Sequence, residues 1–514
     1  MPAVIRIALG NLWEHKSKTI ILGLLIMIGV AIIIVGNAFL EASKTGLQRD
    51  FVENYTGDIM IHGPDVENGR ISLFGVSGIN VGTVPNTPAI PDMEELRDIV
   101  AEYDAKNHVV ANQGSVISSM IYFSSENVDP THEPDPSATI PYGYVFAGSA
   151  DYYDMFPNIN LIEGTLPTTA EPSILIERSI KENFEKYYAL PVNVGDKILA
   201  IGIMGGSTIR EVTVCGIFEK GNVDSAMVDV CYLDPNTARA MSNLTYGSIF
   251  AEELPETVDL GLSSLSEDDL FGSFDGDIFE DDMFDFSDSA LNETVLSDDD
   301  YDNILGDTSL RDLLNTVDDG AWNFLLMKLK NKNDVPKVIA DLNAIFAEKG
   351  IMCKAVDWED AAADFVEATG FLSGVFTVMI ILLAVVVFIV IMNTLVVSVL
   401  ERTGEIGTMR ALGGSRGFIR KLFFTEAVTT SGFACIAGVV LGLLICFILN
   451  ACHISVADSS AKVILGSASL SFIPTFKSVF TTAIVILLGS ILANFYPVSL
   501  ALRITPLKAM NQGE

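Results

Sequence analysis

ERTGEIGTMRALGGSRGFIRKLFFTEA, residues 401–427, lies between two long apolar segments, 371–400 and 428–449. It carries five basic residues (Arg402, Arg410, Arg416, Arg420, Lys421) against three acids (Glu401, Glu405, Glu426). A short basic loop between two membrane-length segments is predicted to face the cytoplasm, where Lys and Arg accumulate. Ile406, Met409 and Leu412 recur at helical spacing, which predicts a helix with one apolar stripe turned away from water. Gly413-Gly414 predicts its end, after which a second short basic helix leads into the next span. An amphipathic helix with a sharp end suits docking to a partner. The competing reading is a basic interfacial linker that only sets topology.

Working outward, the chain of 514 residues is long enough for more than one domain. Residues 1–18 hold Arg6, Lys16 and Lys18, and an uncharged run follows over 19–40. That run would span about 33 Å and cross a bilayer. It exceeds the apolar region of a cleaved signal peptide, so a retained first span is expected, with the N-terminus inside. Asp357 is a candidate N-cap for a helix running unbroken over 357–400, roughly 66 Å and about twice the hydrocarbon thickness. Such a helix would project outward as a stalk before becoming the second span. The third span is expected at 428–450, an outer loop at 451–477, and the fourth span at 478–502, with Asn494 and Pro497 near its end. Arg503 and Lys508 place the tail, 503–514, inside. The expected fold is therefore α-helical in the membrane, with four transmembrane helices and a large extracytoplasmic α+β domain over 41–356.

The formal charge of −35 is concentrated in that outer domain. Between Glu41 and Gly370 there are 19 basic and 60 acidic residues, against 12 and 6 elsewhere, which argues against nucleic acid as a partner. Strands are expected around Ile59, over 145–150 and over 192–200, with a helix after Pro91. Residues 210–218 and 226–233 suggest a hairpin, and 128–142, with four prolines, a loop. Residues 252–319 hold 23 acids and one base, a composition that predicts a largely disordered insertion. A Ca²⁺ site or a docking tail for a basic partner are the competing readings, although no Ca²⁺-loop spacing is present. Folded sequence resumes with a strand over 322–329 and an amphipathic helix over 335–349.

Six cysteines show no CxxC and no zinc spacing. Cys215 and Cys231 sit in strand-like runs that could pair as neighbours, so a disulfide in an oxidising compartment stands beside the default of buried thiols. The chain lacks GxxxxGK[ST], GxSxG and HExxH, and its five histidines are scattered. No Asp, Glu, Lys or Arg falls within the four apolar runs, which disfavours an ion-coupled carrier.

The run 401–413 resembles the "ER..EIG.LRA.G" signature of FtsX-like ABC-transporter permeases, the group that includes MacB and LolC/LolE. The opening IALGNLWEHKSKT is similar to that family's entry to its first helix. VFAGSADYY, EGTLP, VNVGDKI and VTVCGIF occur in the order found in the outer domain of MacB-type and LolE-type members. Residues 496–510 resemble the closing "YPA..A...DP..AL". The resemblance implies a MacB-like periplasmic core domain in a multi-pass protein of the bacterial cytoplasmic (inner) membrane. It implies that Glu401, Arg402, Glu405, Ile406, Gly407, Met409, Arg410, Ala411, Leu412 and Gly413 couple to a separate ATPase subunit. That subunit would bind ATP and Mg, leaving this chain without cofactor or catalysis of its own. A homodimer, or a heterodimer with a related permease, would transmit movement to the outer domains. Lipoprotein release, with a lipoprotein or periplasmic chaperone as partner, is the favoured expectation. MacB-like efflux of a peptide or amphiphile, and FtsX-like control of a cell-wall hydrolase, are the alternatives.

Overall fold

The computed structural model describes residues 16–66, 69–77, 87–128, 134–135, 138–157, 159–169, 171–202, 208–220, 229–245, 316–401, 403–456, 462, 465 and 469–503. The acidic insertion lies outside the described residues up to 315, as do most of the N-terminal segment and the tail beyond 503. In chain order, α1 (Lys16–Phe51) ends in a π-helical turn, Val52–Thr56, and leads to β1 (Ile59–His62). A hairpin of β2 (Arg70–Ser72) and β3 (Gly75–Ser77) precedes α2 (Met93–Asn107), whose first turn is capped by the Asp92 carboxylate. Then come β4 (Val110–Ser124), β5 (Tyr142–Gly148), α3 (Ala150–Met155), β6 (Ile159–Gly164), β7 (Ser173–Glu177) and α4 (Arg178–Tyr188). The next elements are β8 (Lys197–Gly202), β9 (Thr208–Lys220), β10 (Val230–Leu233) and α5 (Pro235–Met241). After the acidic segment follow β11 (Phe324–Leu329), α6 (Val335–Lys349), β12 (Lys354–Asp357) and a short α7 (Trp358–Ala361). The chain closes with α8 (Ala363–Glu401), α9 (Thr403–Ala411), α10 (Arg416–Ala451) and α11 (Phe476–Arg503).

Two units share β4. The first is the sheet β12-β1-β11-β4, antiparallel throughout, in which α2 links β1 to β4 and α6 links β11 to β12. This is a split β-α-β arrangement. Successive residues of β1 serve opposite faces: Ile59 and Ile61 pack with Leu96 and Phe346 under the helices, while Met60 joins Phe51 and Trp358 on the other side. The second unit is a ring of strands, β4-β5-β10-β7-β9-β8, which closes because β8 pairs with both β9 and β4. Closure leaves no exposed edge within the ring, and its interior is filled by Ile121, Phe123, Val145, Ile176, Val214 and Cys231. β6 is added outside, on β9.

This topology corrects the expected hairpin. β7 lies between β9 and β10, parallel to the former and antiparallel to the latter. Alternating apolar residues show only that each strand is half-buried; the choice of neighbour is a long-range decision. The same intervening strand corrects the Cys215–Cys231 pairing. Two strand spacings amount to about 9.5 Å, beyond the roughly 7 Å that a disulfide bridges. The residues also pack with different clusters, Cys215 beside the one containing Phe218 and Cys231 inside the ring, and both are free thiols. The strand expected from 192 begins only at Lys197, because Gly195, at φ +96°, turns the chain first.

Among the described residues, four helices, α1, α8, α10 and α11, are long and apolar enough to cross a bilayer. α1 continues well past residue 40: its 36 residues measure about 54 Å. Glu41, Lys44, Arg49 and Asp50 end its apolar run without ending the helix. The helix expected to run unbroken from 357 is corrected as well. Asp357 caps α7, accepting from the Glu359 and Asp360 amides, and the chain breaks at Ala362 (φ −112°, ψ 35°) before α8 begins. The break lets Trp358, Ala361 and Ala362 bury in the cluster that also holds Phe51. Nor is there a separate short basic helix after Gly414, since Ser415 caps a continuous α10.

Within the membrane bundle, α1 and α10 meet along a close seam. A Cβ on Gly438 would lie 2.7 Å from Val30 Cβ, and one on Gly442 would lie 3.2 Å from Ile34 Cβ. Small residues four apart let two backbones approach, which is how helices gain packing energy where lipid offers no hydrophobic drive.

Candidate functional site

The sequence-predicted site is α9 and the corner after it. Ile406 is 3% exposed and packs on Ile419 and Phe423 of α10 and Val498 of α11, with Met409 and Phe418 alongside. Gly407 is buried with it, and Arg410 stands half-buried in the last turn, where a cation complements the helix dipole. Glu401 is exposed at the end of α8. Arg402 lies outside the described residues, as do the side chains of Glu405 and Ala411, which the backbone places on α9.

The predicted apolar stripe divides. Leu412 is 89% exposed while Ile406 and Met409 are packed. A three-residue step falls about 60° short of a full turn, so Leu412 sits about 120° from Ile406. It also stands just beyond the last residue of α9. The corner itself is closed by backbone hydrogen bonds. Gly414 N–H donates to Met409 O at 2.9 Å and Gly413 N–H to Arg410 O at 3.1 Å, the paired bonds of a Schellman motif. Gly413 occupies the left-handed position at φ +95°, and a Cβ on Gly414 would lie 2.7 Å from Met409 O. Ser415 Oγ then accepts from Phe418 N–H and starts α10, whose first turns expose Arg416, Arg420 and Lys421. The result is one exposed leucine on a hydrogen-bonded corner, followed by a basic helix start.

A second feature lies at the other end of the bundle, where α1, α8 and α11 enclose an open groove of about 700 Å³. Ile33 and Ile380 line its apolar part, Asn37 and Thr482 its middle, and Lys44 and Lys477 its rim. Asn37 Nδ2 donates to Thr482 Oγ1 at 3.3 Å, so the groove carries a hydrogen bond between helices within apolar surroundings. Sequence reading missed this groove because its walls come from three distant helices.

The sheet domain contains a buried ionic cluster at the ends of β7, β9 and β10. Lys220 Nζ stands 3.1 Å from Glu177 Oε2, with side-chain exposures of 9% and 5%. Ser179 Oγ donates to Asp229 Oδ1 at 3.2 Å. Burial raises the Glu177 carboxyl above its ordinary range despite the opposing pull of Lys220, and burial raises Asp229 likewise. Burial also pushes the Cys215 thiol up to about 11, so it is no ready nucleophile.

Residues 377–506 match the family model for the FtsX-like permease C-terminal domain. Three known proteins are similar over parts of the chain. The macrolide export ATP-binding/permease protein MacB of Hyphomonas neptunium is 39% identical over 79 residues, 15% of this chain and 12% of that protein. An ABC transporter permease of Methanocaldococcus jannaschii is 28% identical over 141 residues, 26% of this chain and 34% of that one. The lipoprotein-releasing system transmembrane protein LolE of Haemophilus influenzae is 26% identical over 131 residues, 24% of this chain and 30% of that one. The alignments thus span about a third of these relatives' length at most.

Proposed function

We propose, from residues 377–506 belonging to the FtsX-like permease C-terminal family, that this chain is the transmembrane subunit of a mechanotransmitting ABC transporter. In this reading α9 and its corner dock on a separate ATPase subunit that binds ATP and Mg. The chain works as a homodimer or with a related permease in the bacterial inner membrane, both termini inside and a MacB-like domain outside. The observation that carries the reading is Leu412, 89% exposed on a hydrogen-bonded corner. An exposed leucine held in place is suited to an apolar socket, and Arg416, Arg420 and Lys421 favour an acidic rim around it. ATP-driven movement of that socket pushes α9, and through α8 the outer domain.

Lipoprotein release is the favoured cargo reading. The groove supports it, because its apolar depth, polar middle and charged rim match an acyl chain carrying a polar head. The same gradient favours efflux of a small amphiphile, which is the second reading; control of a cell-wall hydrolase is the third.

The test is ATP hydrolysis by the reconstituted complex, comparing wild type with Leu412→Asp and with Glu405→Lys plus Arg410→Glu. Loss of a central apolar contact costs about 2 kcal/mol or more, so ATPase affinity is expected to fall about thirtyfold for Leu412→Asp. Lipoprotein should stimulate hydrolysis by the wild type. Hydrolysis and assembly indifferent to both variants would reduce 401–427 to a topological linker. Coupling without lipoprotein stimulation would leave the transporter standing and favour the amphiphile.

A further inference from the structure

The break at Ala362 interrupts the path from outer domain to membrane, and the β2–β3 hairpin lies across it. Arg70 is bonded on both sides. Its Nη2 donates to Asp360 of α7, and its Nη1 donates to Glu367 Oε1 of α8 at 2.8 Å. Leu73 N–H donates to Ala361 O, the last carbonyl of α7, at 2.8 Å. Ser72 Oγ approaches Asp364 Oδ2 of α8 at 3.4 Å. Beneath these polar contacts the hairpin inserts Phe74, whose ring centroid is 5.0 Å from that of Phe365 on α8 and 5.4 Å from that of Phe51 on α1. Lys44 of α1 reaches Glu359 of α7 at 3.0 Å.

These contacts differ in strength. Phe51 and Phe74 are buried, and edge-on aromatic packing survives salt and small rotations. The Arg70 side chain is 45% exposed, and Asp360 and Glu367 are 42% and 65% exposed, so its ion pairs are screened and readily opened. A pivot of packed rings lies under a strap that opens at little cost.

We infer that the β2–β3 hairpin is a releasable strap across the α7–α8 break, with Arg70 as its fastening: closed, it makes outer domain and α8 move as one body; open, it lets α8 swing about Ala362 on the Phe74–Phe365 contact. The inference rests on the proposed role of α8 as a transmitting rod. It adds a place where that rod is engaged or disengaged. Arg70 is a positioning residue and touches no cargo.

The test reads the joint alone, without ATPase, nucleotide or cargo, so its failure is separate from failure of the transporter reading. Spin labels are placed at Lys337→Cys on α6 and Ala368→Cys on α8, both exposed, in a Cys452→Ser background, because Cys452 is the exposed thiol. Pulsed electron-spin distances are then measured on the full chain in lipid nanodiscs. A closed strap gives one narrow distance distribution. Arg70→Glu, facing two carboxylates, should broaden it about twofold or more, and Asp360→Arg with Glu367→Arg in the same chain should narrow it again. Arg70→Gln keeps the length without the charge and serves if the reversal impairs folding. Rescue by the double reversal separates a strap from a merely structural residue. A distribution as narrow in both Arg70 variants as in wild type would overturn the inference. So would a wild type already as broad as the variants.

Discussion

Gly413 is where local chemistry shapes the corner after α9 most directly. Its φ of +95° is a backbone state that costs a residue with a Cβ about 1–2 kcal/mol, and a β-branched one more. Gly413→Val is therefore expected to lower the thermal midpoint of the purified chain, with Gly413→Asn losing less, since Asn tolerates the left-handed region. Equal losses from both would show that the corner does not depend on this conformation. Asp229 provides a second test through pH. A carboxyl whose folded pKa is raised above its unfolded value stabilises the fold below the unfolded pKa. That contribution is lost as pH climbs through the folded pKa. Burial raises Asp229 above 3.8 and Glu177 above 4.5, so both oppose folding near neutrality. Asp229→Asn should raise the urea midpoint near pH 7 and flatten its decline from about pH 4 upward, without change at the acid end. Lys220→Met should do the reverse, leaving Glu177 buried without its cation, at about 3–5 kcal/mol. A midpoint near neutrality unmoved by Asp229→Asn would mean that this carboxylate is already solvated.

Among the elements, the α1–α10 seam makes the sharpest demand. Gly438→Leu places a branched side chain where even a Cβ would lie 2.8 Å from Met27 O, with backbone rather than a flexible tip in the way. Overpacking of this kind costs about 1–3 kcal/mol. The expected outcome is a lower unfolding midpoint in mild detergent and loss of a cysteine cross-link between α1 and α10. A retained cross-link would show that the helices shift without penalty. The helix along this stretch was legible from the uncharged apolar run at 428–450. Its partner was not, because spacing says that a helix can approach another closely, not which one. The split of Ile406 from Leu412 has a similar cause. Spacing placed both on a helix, but the Schellman turn and the packing of α10 and α11 decided that one is buried and the other presented.

For the whole molecule, α1 and α8 are both longer than a bilayer is thick and meet the sheet domain at one aromatic joint, where Phe51, Phe74, Tyr144 and Phe365 converge. Two rods fixed to one joint can carry torque as well as axial movement, which a single rod with a loose neighbour cannot. The groove lies between those rods, so relative movement of α1 and α8 must change its width. In the proposed reading, movement arriving at the corner after α9 would reach this groove through α8, and the ATPase comparison of wild type with Leu412→Asp checks the first step of that path.

By itself the sequence determined the four apolar spans, the basic loop at 401–427, the helix at 335–349 and the acidic segment that separates β10 and α5 from β11. These follow from hydropathy, charge and period, which act over a few neighbouring residues. Tertiary structure alone decided that β7 separates β9 from β10, keeping Cys215 and Cys231 apart, and that β8 closes the ring. It also decided that α1 runs on to Phe51, and that the helix after Asp357 breaks at Ala362. Each of these depends on surfaces supplied by residues far along the chain. An amphipathic strand accepts any neighbour of matching register, and a helix continues or breaks according to which side chains its surroundings will bury.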